Sequence, residues 1–262
     1  MAIIQISNLT KKFHGKLAVD NVDITLNKSS FFGFVGPNGA GKTTTVNMLT
    51  GILPPTSGTV KMFGLDFDKH AIEIKSRLGV VTEDLSLFGQ LKADEQLYFV
   101  SRIYGLDKST IKARSEELFE IFDLQDQRAK FVHEYSKGMK KKLALMCALI
   151  HNPAILFLDE PFEGIDPVSS NVIQENLKLL RQNGTTIFLT SHNLALVEKL
   201  CSEIAVIHNG QIVLHSSTSE IRNRIKNEVT KENYSGLEEL FLDLVSPNQE
   251  IKYLSWVNET VK

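Results

Sequence analysis

Between the apolar run FFGFV at residues 31–35 and the helical pattern VNMLTGIL that begins at residue 46, the chain carries Gly36-Pro37-Asn38-Gly39-Ala40-Gly41-Lys42-Thr43-Thr44. No other stretch restricts the fold as strongly. Glycines let the backbone turn tightly and bring successive N–H groups to one side of a loop, and a helix that starts at once directs its positive end at the same point. The expected local structure is strand, anion-cradling loop, helix, with the spacing G-x-x-x-x-G-K-[ST]. Gly36, Asn38, Gly39, Ala40, Gly41 and Thr44 then belong to a cradle for phosphate oxygens. Lys42 reaches the β- and γ-phosphates of a nucleotide, and the Thr43 hydroxyl can ligate Mg²⁺. A glycine-rich turn with an ordinary lysine is the competing account; the placement between a strand and a helix argues against it.

The rest of the chain reads as alternating strands and helices with one interruption. FFGFV, ILFLD (155–159) and TIFLT (186–190) are short continuous apolar runs, each followed by polar or glycine residues and then a helical pattern. Strands buried on both faces of a parallel sheet read this way. Val22 to Leu26 alternates strictly, and Thr59 to Phe63 reads similarly between Gly58 and Gly64, which suits an antiparallel sheet. Asn209-Gly210 between two apolar runs predicts a hairpin. From about Ala93 to Ile150 comparable strands are missing, and Ile111, Leu118, Phe119 and Phe122 fall on one helical face. That stretch predicts a helical insertion between two sheet segments.

Bulk properties remove several functions. A chain of 262 residues can be one large α/β domain or two modest ones, with an ample core. A formal net charge of −2 argues against bulk adhesion to nucleic acid or anionic lipid. The longest apolar runs, such as LALMCALI from Leu143 to Ile150, stop well short of the ~20 residues a membrane-spanning helix needs. MAIIQISNLTKKF has no basic region followed by an apolar core and a cleavage site, so the expected location is the cytoplasm. Cys147 and Cys201 lie far apart, which predicts buried thiols rather than a disulfide or a metal site.

Two further stretches carry chemistry. ILFLDEP delivers Asp159 and Glu160 to the carboxyl end of a buried strand, the edge where parallel α/β sheets bind ligands. There Asp159 can face a metal while Glu160 polarises an attacking water. YSKGMKKKLALM, from Tyr135 to Met146, sets four lysines beside a helix start. Ser136 and Gly138 at that start expose N–H donors that suit an anion. The plainer account makes Ser136 an ordinary cap and Lys140 to Lys142 a solvated face.

These residues resemble the nucleotide-binding subunits of ABC (ATP-binding cassette) transporters, with motifs in that family's order and spacing from residue 1 to about residue 216. The resemblance implies an α/β fold: a P-loop NTPase (RecA-like) core with an antiparallel β subdomain and an α-helical subdomain inserted at about 84–150. A C-terminal helical extension would follow over 217–262, where Ser235 to Glu238 reads as a capping box. Tyr135-Ser136-Lys137-Gly138-Met139 resembles the family's Leu-Ser-Gly-Gly-Gln signature, whose amides and serine bind the γ-phosphate of ATP held by the other subunit. It departs at Tyr135, Lys137 and Met139, in a form similar to the ATPases of bacterial drug, peptide and bacteriocin exporters. Phe13 resembles the aromatic that stacks on adenine, worth about 1–3 kcal/mol by analogy with base stacking. His192 resembles the switch histidine that contacts the γ-phosphate. Asp166, in Glu163-Gly164-Ile165-Asp166, resembles the D-loop residue that reaches across a dimer. Glu83 stands where the family usually has a metal-holding glutamine, and a carboxylate is likewise a hard oxygen ligand.

What the resemblance implies is Mg-ATP hydrolysis with ATP and Mg²⁺ as cofactors, Glu160 and His192 as catalytic residues, and Thr43, Glu83 and Asp159 around the metal. Two ATP would sit between two subunits, in a homodimer or a heterodimer with a related ATPase. A separate transmembrane permease would dock on the helical insertion and hold the chain at the inner face of the cell membrane, for export. No nucleic acid is expected as a partner. A soluble ABC ATPase acting on ribosomes or nucleic acid is the alternative; such proteins commonly carry two cassettes, a long coiled coil or basic extensions. A non-hydrolysing regulatory subunit would be expected to lack Glu160 or His192.

Overall fold

A computed structural model describes residues 2–226 and 237–245. The chain begins with β1 (Ala2–Phe13) and β2 (Lys16–Asn27), joined by His14 and Gly15, whose φ angles of 43° and 88° make a tight hairpin turn. In β2 the alternation read from the sequence buries Val22, Ile24 and Leu26 and exposes Asp23 and Thr25. Next come β3 (Phe31–Val35), the glycine loop, α1 (Lys42–Leu49), β4 (Ser57–Met62), β5 (Leu65–Asp66), α2 (Phe67–Lys75) and β6 (Leu78–Val81). An antiparallel sheet of order β2-β1-β4-β5 covers one side of the molecule.

The strand-free middle contains α3 (Ala93–Ile103), α4 (Lys108–Ile121) and α5 (Lys137–Leu149), with two single 3₁₀ turns before α5. Ile111, Phe119 and Phe122 are buried and Leu118 packs beside them, as the shared helical face predicts. After it follow β7 (Ile155–Asp159), α6 (Pro167–Gln182), β8 (Thr186–Ser191), α7 (Leu194–Leu200), β9 (Glu203–His208), β10 (Gln211–Ser217), α8 (Thr218–Lys226) and α9 (Leu237–Val245). The helix expected after the Ser235–Glu238 capping box is α9, which turns Leu237, Leu240, Phe241 and Val245 toward the core. Ser235, its expected cap, lies outside the described residues.

The second sheet has the order β10-β9-β3-β8-β7-β6, with β10 the antiparallel edge and the others parallel. Its central parallel strands are buried on both faces because both faces are covered, whereas edge strand β10 buries none of its residues fully. Phe31, Val35, Leu156, Leu158, Ile187 and Leu189 point toward the helical side, while Phe32, Phe34, Phe157 and Phe188 point toward the antiparallel sheet. Phe188 is central in the second set, with ring centroids 5.0 Å from Phe32, 5.5 Å from Phe34 and 5.4 Å from Phe157. Full burial of each such ring contributes roughly 1.5–3 kcal/mol, so this layer holds the strands that carry the site in fixed register.

The Asn209-Gly210 hairpin forms as expected, with φ angles of 48° and 82°. It also braces the glycine loop: Gly210 N–H donates to the Ala40 carbonyl at 3.0 Å, and the Gly210 carbonyl accepts from Asp20 N–H at 2.8 Å. Cys147 and Cys201 are free and buried, and burial pushes the Cys147 thiol up to about 12. Among the described residues no helix is long and apolar enough to cross a membrane.

Candidate active site

The carboxyl ends of β3, β7 and β8 open into a cleft of about 430 Å³ lined by Ala18, Asn38, Gly39, Gly41, Lys42, Thr43, Thr44, Glu83, Glu160, Glu163 and His192. Gly39 and Gly41 have φ angles of 78° and 112°, and a Cβ on Gly41 would stand 2.6 Å from the Ala18 carbonyl oxygen. Only glycine closes the loop there without displacing β2. Lys42 is 7% exposed, and its ammonium donates to the carbonyls of Gly36 at 2.7 Å and Pro37 at 3.2 Å. Burial lowers its pKa from the ordinary lysine value, and the carboxylates of Glu160, Asp159 and Glu83 act against that shift. Gly36 and Ala40 lie behind the lining residues as parts of the loop's frame, Ala40 through its bonds to Pro37 and Gly210.

The acid pair ends β7 with two environments. Glu160 has φ 47°, a left-handed conformation that a non-glycine residue adopts at a cost of order 1–3 kcal/mol. The turn lets its N–H reach the Thr190 carbonyl at 3.3 Å and hydroxyl at 3.2 Å. Its carboxylate accepts from the Ser191 hydroxyl at 3.3 Å and lies 3.0 Å from His192 Nδ1. Nδ1 faces Glu160, and the imidazole keeps Nε2 for a second group in the cleft. Asp159 is 1% exposed; one oxygen accepts a hydrogen bond from Thr190, and the other, Oδ2, is buried with no partner among the described residues.

An orphaned carboxylate oxygen in the interior is costly unless something compensates it. Thr43 and Glu83 line the cleft, while Asp159 is not among the lining residues and keeps its free oxygen buried; the hydroxyl and the two carboxylates are hard oxygen donors of the kind Mg²⁺ takes.

Ser136, Lys137 and Gly138 are not among the residues lining this cleft. Ser136 caps α5 by accepting from Met139 N–H at 3.2 Å, and Asp166 caps α6 by accepting from Ser169 N–H at 2.8 Å. Those bonds from Ser169 hold the Asp166 carboxyl below its ordinary pKa. A solvated face over Lys140 to Lys142 is not what forms: Lys141 is 2% exposed and Lys142 8%, their stems packed under the helix. Phe13 stands exposed at the β1–β2 hairpin with the Lys11 ammonium 5.1 Å from its ring centre, so a core aromatic is excluded there.

Sequence reasoning assigned no role to Thr190, Ser191, Ala18 or Glu163. The available signal for the first two was a pair of hydroxyls ending an otherwise apolar strand at the ligand edge of the sheet. Both are buried and both bond to the acid pair.

A glycine loop opening α1, an acid pair ending β7, and β8 inserted between β3 and β7 define a P-loop nucleoside triphosphatase of the RecA-like arrangement. The ABC transporter family matches residues 19–163. Over 241 residues the chain is 34% identical to the linearmycin resistance ATP-binding protein LnrL of Bacillus subtilis (strain 168), covering 92% of this chain and 78% of that one. It is 36% identical over 223 residues to the bacitracin transport ATP-binding protein BcrA of Bacillus licheniformis, covering 85% and 72%. A solved structure of the ATP binding subunit of an ABC transporter superposes with a TM-score of 0.85 at 25% identity, covering 92% of this chain and 99% of that chain. The chain belongs to the ABC transporter family and is an ABC-type ATPase.

Proposed function

We propose that this chain energises export through a separate transmembrane permease, closing face to face with a second copy or a related ATPase around two ATP molecules. One observation carries the reading. Ser136 to Gly138 start a helix whose first N–H groups have no intrahelical partner, yet they stand off the chain's own phosphate cleft. An anion site turned outward fits the phosphate of a facing subunit, and two such sites make an isologous pair. We divide the chain accordingly into a cassette over 1–216, its helical insertion at about 84–150, and an extension over 217–262.

Within one site, loop N–H groups hold the phosphates and the Lys42 ammonium exchanges the Gly36 and Pro37 carbonyls for phosphate oxygens. Phe13 stacks on adenine, and Asp166 reaches the facing subunit. Water attacks the γ-phosphorus as the bond to the β–γ bridging oxygen breaks, giving ADP and phosphate. Glu160 orients that water and accepts its proton, and His192 holds Glu160 through Nδ1 while its other nitrogen meets the γ-phosphate. Thr43, Asp159 and Glu83 would hold Mg²⁺, which would supply positive charge to offset that of the phosphates. Loss of the γ-phosphate removes the bridge and lets the subunits part.

Exposed aromatics on the helical insertion support a permease-docking surface at the inner face of the membrane. Phe88 and Phe99 meet edge-on at 5.5 Å, with Tyr98 and Ile103 also exposed on α3. The names of the linearmycin resistance and bacitracin transport relatives support export. The test is Glu160→Gln, expected to slow hydrolysis roughly 10²-fold or more while sparing ATP binding and trapping a dimer in saturating Mg-ATP. A variant that stays monomeric and hydrolyses normally sinks the scheme.

A further inference from the structure

The start of α5 and the turn from β7 to α6 meet along a seam of lysines and acids. Lys137 Nζ lies 2.6 Å from Glu163 Oε1, and Lys142 Nζ lies 3.8 Å from Asp166 Oδ2. The backbones also touch: a Cβ on Gly138 would stand 2.5 Å from the Gly164 carbonyl oxygen. Glu163 lines the chain's own phosphate cleft, while Lys137 follows the helix cap Ser136 on the surface assigned to a facing nucleotide. One ion pair therefore joins the two surfaces. Its side chains are 66% and 45% exposed, so it can open by rotation of the lysine alone.

We propose that Lys137 changes partners: Glu163 holds it in the free chain, and it transfers to the γ-phosphate of the facing ATP when two subunits close. Glu163 then competes with that phosphate for one cation and sets how tightly the dimer forms. Phosphate is the stronger acceptor, with more charge and three terminal oxygens against an exposed carboxylate. This inference rests on the ATP-bridged dimer proposed above.

The experiment uses the full chain carrying Glu160→Gln and measures self-association with Mg-ATP by analytical ultracentrifugation, alone and with Glu163→Gln, Lys137→Gln or both. Glu163→Gln should tighten the dimer about two- to fivefold, the range of an exposed ion pair. Lys137→Gln should weaken it, and in that background Glu163→Gln should have no effect. ATP affinity measured below the association range should not follow Lys137, which touches no nucleotide of its own chain. A dimer whose two substitutions act independently, or which Glu163→Gln weakens, overturns the inference and leaves the dimer standing. No Mg-ATP-dependent dimer in any variant, the parent included, overturns both.

Discussion

The two oxygens of Asp159 differ: one is tied to Thr190, and the other is buried with no partner among the described residues. In the Mg²⁺ site proposed above, Thr190 would act at one remove, since its hydroxyl fixes which Asp159 oxygen is free. Thr190→Val should raise the Mg²⁺ concentration needed for half-maximal ATPase activity by roughly 10- to 100-fold, the usual effect of losing a partner behind a metal ligand. ATP binding measured without Mg²⁺ should change little; an unaltered Mg²⁺ requirement would remove Thr190 from this role. The positions of Asp159, Glu160 and His192 at one sheet edge were legible because a buried strand ends where charged residues begin. Thr190 and Ser191 were not, because a hydroxyl beside an apolar run reads equally well as strand alternation. The lysines misled for another reason: composition records their charge, while Lys141 is buried whole and Lys142 buries its alkyl stem with its ammonium 3.8 Å from Asp166.

Elements built from continuous apolar runs were the easiest to read. β3 and the central positions of β7 and β8 need apolar residues on both faces because the sheet is covered twice, and the sequence pattern carries that demand directly. The aromatic layer within them makes the energetics checkable. Phe188 is fully buried against three other phenylalanine rings, so Phe188→Ala should cost about 3–5 kcal/mol in urea unfolding, with the larger values expected if the cavity does not collapse. A loss below about 1 kcal/mol would mean the layer does not hold the sheet. The left-handed turn at Glu160 had no local signal, since Asp-Glu-Pro does not announce a positive φ and the conformation is maintained by Thr190 on the next strand.

At the scale of the molecule, neither ring of the exposed Phe88–Phe99 pair is among the residues lining the cleft. Replacing both aromatics with serine should leave the isolated chain's ATPase rate unchanged while abolishing co-purification with a multi-helix membrane protein from detergent extracts. Retained co-purification would place the permease contact elsewhere. Sheet order was beyond sequence reading, because the pairing of β3 with β8 and β9 joins residues more than 150 positions apart and local pattern carries no register over such distances. That separation has a consequence in time. During synthesis at ~5–20 residues per second, on the order of ten to thirty seconds pass between completion of the glycine loop and arrival of Gly210, which braces it. For most of that interval, until β8 is made, β3, an uncharged strand with three phenylalanines, has neither neighbour, and the growing chain depends on whatever shields it until its sheet partners emerge.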